Sequence, residues 1–276
     1  MATDDTEHVL KHYVPGLESD RLGSPLGAIE FERTKEELSW YLPPPPATVA
    51  DIGGGPGAYA LWLTQAGYSV VHRDLVPGHV EEVRRAASGL GLRIDADVGD
   101  ARDLDLAEDS ADAVLLFGPL YHLTDRADRI RALKEVRRIL KPSGVAFIAA
   151  ISRWAARLHG VVVQRLYREF PSIGEELEWA EATGKLPPLF PGSFAGFCHR
   201  PDQLRREIAD AGLDPIDLVS LEGIAFALSD LEDRLAAAED REVVFEAARR
   251  LGRVPELLGL GPHLLAIARH MGPGVR

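Results

Sequence analysis

The sequence predicts an α/β domain built on a parallel sheet, and three observations support this fold class. From residue 48 onward, short apolar runs alternate with segments of helical spacing. A glycine-rich turn, residues 53–57, directly follows the first apolar run. No internal repeat interrupts this alternation. Strands that alternate with helices form right-handed βαβ units, and such units build a parallel sheet.

The composition is that of a globular protein with a large negative charge. Of 276 residues, 46% are hydrophobic and 27% are charged, as in soluble domains. The net charge of −12 disfavours binding to nucleic acid or to an anionic membrane. No apolar run reaches the roughly 20 residues of a membrane helix, and the acidic N-terminus is unlike a signal or transit peptide. We therefore expect no nucleic-acid partner, no membrane partner and a cytoplasmic location, which the single cysteine, Cys198, also favours.

Residues 1–46 are predicted to form an N-terminal helical cap. Two segments, 8–13 and 29–41, have helical spacing. The four prolines at 43–46 end the second helix, because proline lacks the backbone N–H that a helix needs. This cap either covers a ligand cleft or simply packs on the sheet.

Residues 47–151 are predicted to form a cofactor-binding core of five strands. Asp125 is the expected N-cap of the helix before the last of them. The predicted strands are 48–52, 69–74, 92–98, 113–117 and 145–151, and the predicted helices are 57–66, 77–87 and 126–140.

The regular alternation stops after the fifth strand. Residues 152–200 are predicted to be a helical insertion, with helices at 154–170 and 173–183 and an aromatic, proline-rich loop at 185–199. This insertion is either a lid over a cleft or a segment that packs on the sheet. Residues 201–276 complete the core sheet with a helix at 201–211, a strand at 216–221, helices within 230–251 and a last strand at 264–269.

The glycine turn predicts a binding site at the start of the first core helix. Glycines let the backbone N–H groups approach a ligand without interference from Cβ atoms. Asp51 precedes the turn, and its carboxylate suits a ligand with an ammonium group. A pyrophosphate would be repelled by the same charge.

Two further acids follow strands. Asp74 ends the second strand and Asp100 follows the third, so both should lie at the carboxyl edge of the sheet, where ligands bind at a switch point. Asp74 could accept hydrogen bonds from ribose hydroxyls, and Asp100 from an exocyclic amine. Leu75 and Ala101 would then supply apolar contacts to a purine.

Five motifs together resemble the class I S-adenosylmethionine-dependent methyltransferases, in particular the small-molecule branch that includes ubiquinone- and menaquinone-biosynthesis enzymes. The motifs are D-I-G-G-G-P-G at 51–57, H-R-D at 72–74, G-D-A-R-D-L at 99–104, D-A-V-L-L-F-G-P-L-Y-H-L at 112–123 and R-R-I-L-K-P-S-G at 137–144. The resemblance covers residues 48–151 and extends plausibly to the last strand. It implies a Rossmann-like, seven-stranded, mostly parallel sheet whose last strand is antiparallel.

The resemblance also implies cofactor contacts for S-adenosylmethionine. Asp51 would orient the glycine turn and favour the ammonium group, and Asp74 would bind the ribose hydroxyls. Asp100 and Ala101 would bind the adenine. The residues implied near the methionine and sulfonium parts are Gly53, Gly55, Gly57, Phe117 and Gly118.

The candidate catalytic residues are Tyr121 and His122, which the resemblance puts beside the methyl group. The donor is already activated, so a base is needed only for an acceptor that is protonated at neutral pH. The pKa of histidine suits that role, although His122 could equally cap or pack the local helix. His199, in the insertion, is a second candidate on weaker grounds.

The predicted function is therefore methyl transfer from S-adenosylmethionine to a small, apolar or aromatic molecule, with S-adenosylhomocysteine as product. One alternative is an NAD(P)-dependent oxidoreductase, because Gly53, Gly55 and Ala58 satisfy a dinucleotide fingerprint. Another is a protein that binds S-adenosylmethionine without transferring its methyl group. No metal site is expected, since His8 and His12 lack further ligands nearby. A homodimer is left open, as is the choice among O-, N-, S- and C-methylation.

Overall fold

A computed structural model describes residues 22–189 and 194–270, together with Thr6, Val9, Leu10 and Tyr13. These residues form a sheet of nine strands with helices on both faces. The strands are β1 (Thr48–Ile52), β2 (Ser69–Asp74), β3 (Asp95–Val98), β4 (Ala111–Leu116), β5 (Leu140–Ser152), β6 (Lys185–Leu186), β7 (Gly196–His199), β8 (Leu213–Ser220) and β9 (His263–His270). The α-helices are α1 (Pro25–Tyr41), α2 (Ala58–Gln65), α3 (Pro77–Gly89), α4 (Pro119–His122), α5 (Arg126–Ile139), α6 (Ile173–Thr183), α7 (Pro201–Asp210), α8 (Leu231–Ala236) and α9 (Ala238–Leu251).

The strand order confirms the predicted fold. Strands β3, β2, β1, β4 and β5 are parallel neighbours in that order. Strand β9 lies antiparallel beside β5, and β8 lies antiparallel beside β9. The order reverses between β1 and β4, which creates a switch point where an open parallel sheet binds its ligands.

Both faces of the sheet are buried, as a parallel sheet requires. On one face, Val49 and Leu115 pack with Leu38 of α1 and Leu63 of α2. The opposite face packs against helices α5 and α7, which contribute Leu133, Leu204 and Ile208 among other residues. Helix α1, from the N-terminal part of the chain, therefore packs on the same face of the sheet as α2, the helix that follows the glycine turn.

Helix α1 begins where Ser24 accepts a hydrogen bond from the backbone N–H of Gly27. Its buried polar side chains are paired rather than solvated. Arg33 donates to Glu37 at 2.7 Å, and Glu37 also pairs with Arg253. These contacts hold α1 against the segment that follows α9.

The insertion differs in part from its predicted structure. Helix α6 matches the predicted range 173–183, whereas the predicted helix at 154–170 is a π-helix, Ala156–Val163, followed by a 3-10 turn, Leu166–Arg168. The loop predicted at 185–199 contains strands β6 and β7. Strand β4 pairs with β5 only as far as Ile148, so the backbone of β5 at 151–152 can pair with β7. Phe190 lies outside the described residues.

One helix boundary matches the prediction, and one strand boundary differs from it. Asp125 is the N-cap of α5, as expected, and accepts from the N–H of Ala127. Strand β8 starts earlier than predicted and continues through Pro215, where its register with β9 shifts. Proline is tolerated there because, among the described strands, β8 pairs with β9 alone and its other edge carries no strand. Among the described helices, none is long and apolar enough to cross a bilayer.

Candidate active site

A cavity opens at the carboxyl ends of the parallel strands, beside the switch point between β1 and β4. Its empty volume is about 1240 Å³, including solvent at the mouth. Ten of the twelve predicted site residues line it, although they come from four separate stretches of the chain. They are Gly53, Gly55, Asp74, Leu75, Asp100, Ala101, Phe117, Gly118, Tyr121 and His122.

The glycine turn occupies a backbone conformation that other residues reach only with strain. Gly53 has φ +72°, and a Cβ atom there would lie 2.4 Å from Cδ of Pro119. At Gly54 a Cβ atom would lie 2.2 Å from Oδ2 of Asp51. The turn therefore passes between the Pro119 ring on one side and the Asp51 carboxylate on the other, with no space for side chains.

Asp51 and Gly57 are not among the described residues of the cavity wall. The Asp51 carboxylate is fully buried behind the turn, where it contacts Nδ1 of His72 at 3.2 Å. Gly57 faces Val83 instead of the cavity. A direct contact between Asp51 and a ligand's ammonium group thus stays a prediction, whereas its contact with the turn at Gly54 is part of the fold.

Asp74 ties the glycine turn to the end of β2. Its carboxylate accepts from the N–H of Gly55 at 2.9 Å and from the N–H of Val76 at 2.8 Å. Nδ1 of His79 lies 3.1 Å from the same carboxylate. Burial alone would raise the pKa of Asp74, but His79 and the two backbone donors hold it below its ordinary value. The site therefore has a charged acceptor at the position predicted for ribose.

Asp100 lies on the same wall and is held by Arg102. Arg102 donates to it through the backbone N–H at 2.9 Å and through its guanidinium. Burial would raise the pKa of Asp100, but these hydrogen bonds and charges lower it overall. Arg102 also pairs with Asp128, so the carboxylate is fixed in position and charged.

Phe117 and the short helix α4 form the middle of the cavity. The Phe117 ring meets the Tyr59 ring edge-on, with centroids 5.0 Å apart. Nε2 of His122 lies 2.8 Å from the hydroxyl of Tyr13. The Phe194 ring from the insertion packs 5.5 Å from the His122 ring. The predicted catalytic pair is thus enclosed by side chains from both flanking segments.

The far wall of the cavity comes from segments that the motifs do not include. Helix α1 contributes Glu30 and Thr34. The remaining residues lie on β5, just after β8, and on β9: Ala149, Leu221, His263 and Leu265. Three of these six residues, Ala149, Leu221 and Leu265, are aliphatic, and the polar side chains of the wall are Glu30, Thr34 and His263.

Comparisons with known proteins identify the family of the chain. Residues 49–144 match a family described as a methyltransferase domain. The ubiquinone biosynthesis O-methyltransferase of Cereibacter sphaeroides is 30% identical over 190 residues, 69% of this chain and 68% of that protein. The chain belongs to the class I S-adenosylmethionine-dependent methyltransferases.

Two further likenesses support the assignment. The ubiquinone/menaquinone biosynthesis C-methyltransferase UbiE of Acidiphilium cryptum is 34% identical over 153 residues, 51% of this chain and 57% of that protein. A crystal structure of a SAM-dependent methyltransferase from Methanosarcina mazei has a TM-score of 0.59 at 19% identity and covers 85% of this chain and 97% of that one. The fold is the same, and the relatives named here are methyltransferases rather than oxidoreductases.

The enzyme therefore uses S-adenosylmethionine and releases S-adenosylhomocysteine. The cavity wall fits this cofactor. The backbone of the turn at 53–55 lines the cavity, and two charged carboxylates, Asp74 and Asp100, line the wall beside the apolar Leu75 and Ala101. The methyltransferase is of the small-molecule type.

Several residues of the methyltransferase site were not predicted from the sequence. Near the cofactor motifs these are Tyr59, His79, Arg102 and Pro119. Each lies within five residues of a predicted site residue, so proximity to the motifs could have signalled them. The residues of the far wall lie outside the five motifs, so proximity to a motif could not have indicated them. His199 lies elsewhere, buried against Glu207 at 3.2 Å, where burial lowers its pKa.

Proposed function

We propose that this methyltransferase acts on a small, apolar or aromatic acceptor that binds between α4 and the far wall of the cavity. The observation that carries the proposal is the chemistry of that wall, where Ala149, Leu221 and Leu265 continue the apolar surface of Phe117. Such a surface binds a flat apolar molecule, and the few polar groups set its orientation. The Cereibacter sphaeroides relative, an O-methyltransferase of ubiquinone biosynthesis, supports the same class.

The cofactor contacts proposed from the sequence keep their roles. Asp74 would bind the ribose hydroxyls, and Asp100 with Ala101 and Leu75 would bind the adenine. Asp51 would act from behind the turn, since it contacts the turn at Gly54. The residues proposed to adjoin the methionine and sulfonium parts are Gly53, Gly55, Gly57, Phe117 and Gly118.

S-adenosylmethionine supplies a methyl group on a sulfonium, which is already activated for in-line displacement. The protein therefore has mainly to align the acceptor, and alignment can supply about 7–11 kcal/mol of the barrier. We assign this role to Tyr121 and His122, because both line the cavity beside Phe117 and Gly118. His122 is also a candidate base, although its Nε2 atom contacts the Tyr13 hydroxyl.

The proposed domain division assigns a covering role to residues 1–46 and to the insertion, residues 152–200. Tyr13 and Phe194 support this role, since both contact His122. Residues 47–151 would form the cofactor-binding core, and 201–276 would complete its sheet. The net charge of −12 supports an enzyme without a nucleic-acid partner, and the single cysteine favours a cytoplasmic location. Sedimentation velocity would decide between a monomer and a homodimer.

Two measurements test the proposal. Calorimetric titrations with S-adenosylhomocysteine and with NAD should show binding of the first alone. Radiolabelled methyl transfer should then be measured across matched panels of aromatic acceptors, such as catechols and hydroquinones, and polar acceptors, such as glycine and glycerol. Transfer confined to the polar panel would overturn the proposed acceptor class without affecting the family assignment.

A further inference from the structure

His263 is the one histidine on the far wall among the described residues that line the cavity. It is the first residue of β9 and lies opposite Ile151 of β5. Because β9 is antiparallel to the rest of the sheet, its start lies at the carboxyl edge, where the cofactor motifs converge. The fold thus brings a titratable side chain to the cavity from a part of the chain more than a hundred residues after those motifs.

A buried carboxylate orients this histidine. Nδ1 of His263 is hydrogen bonded to Oε1 of Glu222, and the second oxygen of Glu222 accepts from the backbone N–H of His263 at 3.2 Å. Glu222 is fully buried, just after β8. A carboxylate on Nδ1 selects the tautomer with its proton on Nδ1, so Nε2 carries the lone pair. The same carboxylate stabilises the imidazolium that forms when Nε2 takes a proton.

Other titratable groups also face His263. Oε2 of Glu30, on α1, lies 3.7 Å from its Nδ1 atom. His159, on the π-helix, also lies nearby. Burial lowers the pKa of His159, and the charge of His263 is a second, smaller cause of the same shift. The groups that face His263 are thus the carboxylates of Glu222 and Glu30, with the His159 ring nearby.

His263 is also at a suitable distance from the methyl-donor side. Strand β9 lies two positions from β4 in the sheet, so the two are separated by about 10 Å. Phe117 and Gly118, just after β4, line the same cavity as His263. An aromatic ring with one or two hydroxyl groups spans such a gap.

We propose that His263, oriented by Glu222, is the general base that takes the proton from an acceptor hydroxyl, so that the enzyme is an O-methyltransferase of phenols or enols. This inference rests on the proposed function, since it names the reacting group of the proposed acceptor. The acceptor O–H bond breaks as its proton moves to Nε2. The acceptor oxygen would use one of its lone pairs to bond to the methyl carbon, and the carbon–sulfur bond would break with its electron pair left on sulfur, which becomes a neutral thioether. The proton then passes from His263 to water.

His122 differs from His263 in a way that favours this assignment. Nε2 of His122 contacts the hydroxyl of Tyr13, which is neutral and does not stabilise an imidazolium as a carboxylate does. His263 has that carboxylate. His122 therefore suits contact with the acceptor, and His263 suits proton removal.

The first test separates proton removal from alignment. His263→Gln and Glu222→Gln should be assayed with catechol and with 4-nitrophenol, which is more acidic and largely ionised at mildly alkaline pH. A general base contributes roughly 10²–10⁴-fold, so turnover of catechol should fall by that factor in His263→Gln. Turnover of 4-nitrophenol should fall far less. The exposed Glu256→Gln is the control and should match the unchanged enzyme. Equal losses with both acceptors would overturn the base role.

The second test does not depend on turnover or on the identity of the acceptor. The ¹⁵N shifts of the His263 ring in the unchanged, S-adenosylhomocysteine-loaded protein should identify the tautomer protonated on Nδ1. In Glu222→Gln the ring should titrate at lower pH and lose its tautomer preference. A ring protonated on Nε2 in the unchanged enzyme would overturn the proposal even if Glu222→Gln failed to fold.

A third measurement separates this role from metal binding by Glu30, Glu222 and His263, whose ligand atoms lie within 4.8 Å of one another. Turnover should be insensitive to EDTA and to added Mn²⁺ or Zn²⁺. Loss of turnover on chelation, restored by metal, would overturn the role of His263 as general base.

If the unchanged enzyme methylated no phenol, the proposed acceptor class would be wrong. The tautomer of the His263 ring would still show whether the His263–Glu222 pair exists.

Discussion

The two halves of the cavity are built in different ways. The half that we propose to hold the cofactor, the cofactor half, consists of short stretches that each follow a strand, and much of its surface is backbone. The half that we propose to hold the acceptor, the acceptor half, is assembled from side chains on α1, β5, β9 and the segment after β8. A ligand that all relatives share can be held by local geometry that survives sequence change. A ligand that differs among relatives is better bound by side chains, which can change without altering the turn.

The contacts that position the residues of the two halves also differ. Gly53, Asp74 and Asp100 each act through contacts with residues close in the sequence or on the adjacent strand. Helix α1 carries Glu30 and Thr34 to the cavity, and it is held on the sheet by the apolar packing of Leu38 and by long-range ion pairs such as that between Glu37 and Arg253. Damage to those ion pairs should therefore disturb the acceptor half before the cofactor half.

The largest expected effect comes from breaking those ion pairs. Glu37 is fully buried and pairs with both Arg33 and Arg253. Replacing Glu37 by Gln should lower the free energy of unfolding by about 3–5 kcal/mol, because Arg33 and Arg253 both lose a buried carboxylate partner, although Arg33 keeps its contact with Glu36. Urea denaturation would measure the loss. Glu32→Gln, an exposed position on the same helix, is the matched control and should change it by under about 0.5 kcal/mol.

A smaller effect is expected in the cofactor half from Gly53→Ala. The added methyl group would overlap Pro119 and occupy a left-handed conformation, which together cost about 2–5 kcal/mol. The turn should shift, and the affinity for S-adenosylhomocysteine should fall by at least about tenfold. Calorimetry would measure this. Gly78→Ala, where no atom lies within 4 Å of the new Cβ, should bind as before.

Asp74→Asn should have a more modest effect on the same affinity. A hydrogen bond to a charged group contributes about 1.5–3 kcal/mol, and Asn retains part of it, so the dissociation constant should rise about tenfold. Asp97→Asn, an exposed acid at the end of β3, is the control. Unchanged affinity in Asp74→Asn would show that the carboxylate serves the turn alone.

The depressed pKa of Asp74 adds a pH test to the same comparison. A carboxyl whose pKa is lowered in the folded protein keeps its charge as the pH falls to its ordinary pKa of about 4. Any contribution of Asp74 to binding should thus be constant from neutral pH to that value and be lost only below it. Calorimetry across this range, with Asp97→Asn alongside, would measure it.

The smallest expected effect is that of Phe194→Leu. The Phe194 ring contacts Tyr121 and His122, and replacing one apolar side chain by another of similar volume usually costs under about 1.5 kcal/mol. The KM of the acceptor should rise by less than about tenfold, with no change in affinity for S-adenosylhomocysteine. A change in cofactor affinity instead would show that the two halves of the cavity are coupled.

The parts of the site that the sequence predicted share one property. The glycine turn requires left-handed backbone at Gly53 and Gly55, and Asp74 and Asp100 lie where strands end. Such features depend on local conformation and on the alternation of strands and helices. Asp51 shows the limit of this reasoning, since its position next to the turn was predicted but its burial against His72 was not. Local sequence indicates that a carboxylate is near the turn, and packing decides which side of the turn it occupies.

The sequence by itself determined the fold class, the switch point and most of the cofactor wall, because these follow from periodicity and from residues with special backbone requirements. Only the tertiary structure decided the acceptor wall. Glu30, Glu222 and His263 are separated by 192 and 41 residues in the chain, and no periodic pattern relates them. They meet because β9 runs antiparallel between β5 and β8 and because α1 packs against the sheet. The pairing register of β9 and the position of α1 depend on the sum of many long-range contacts.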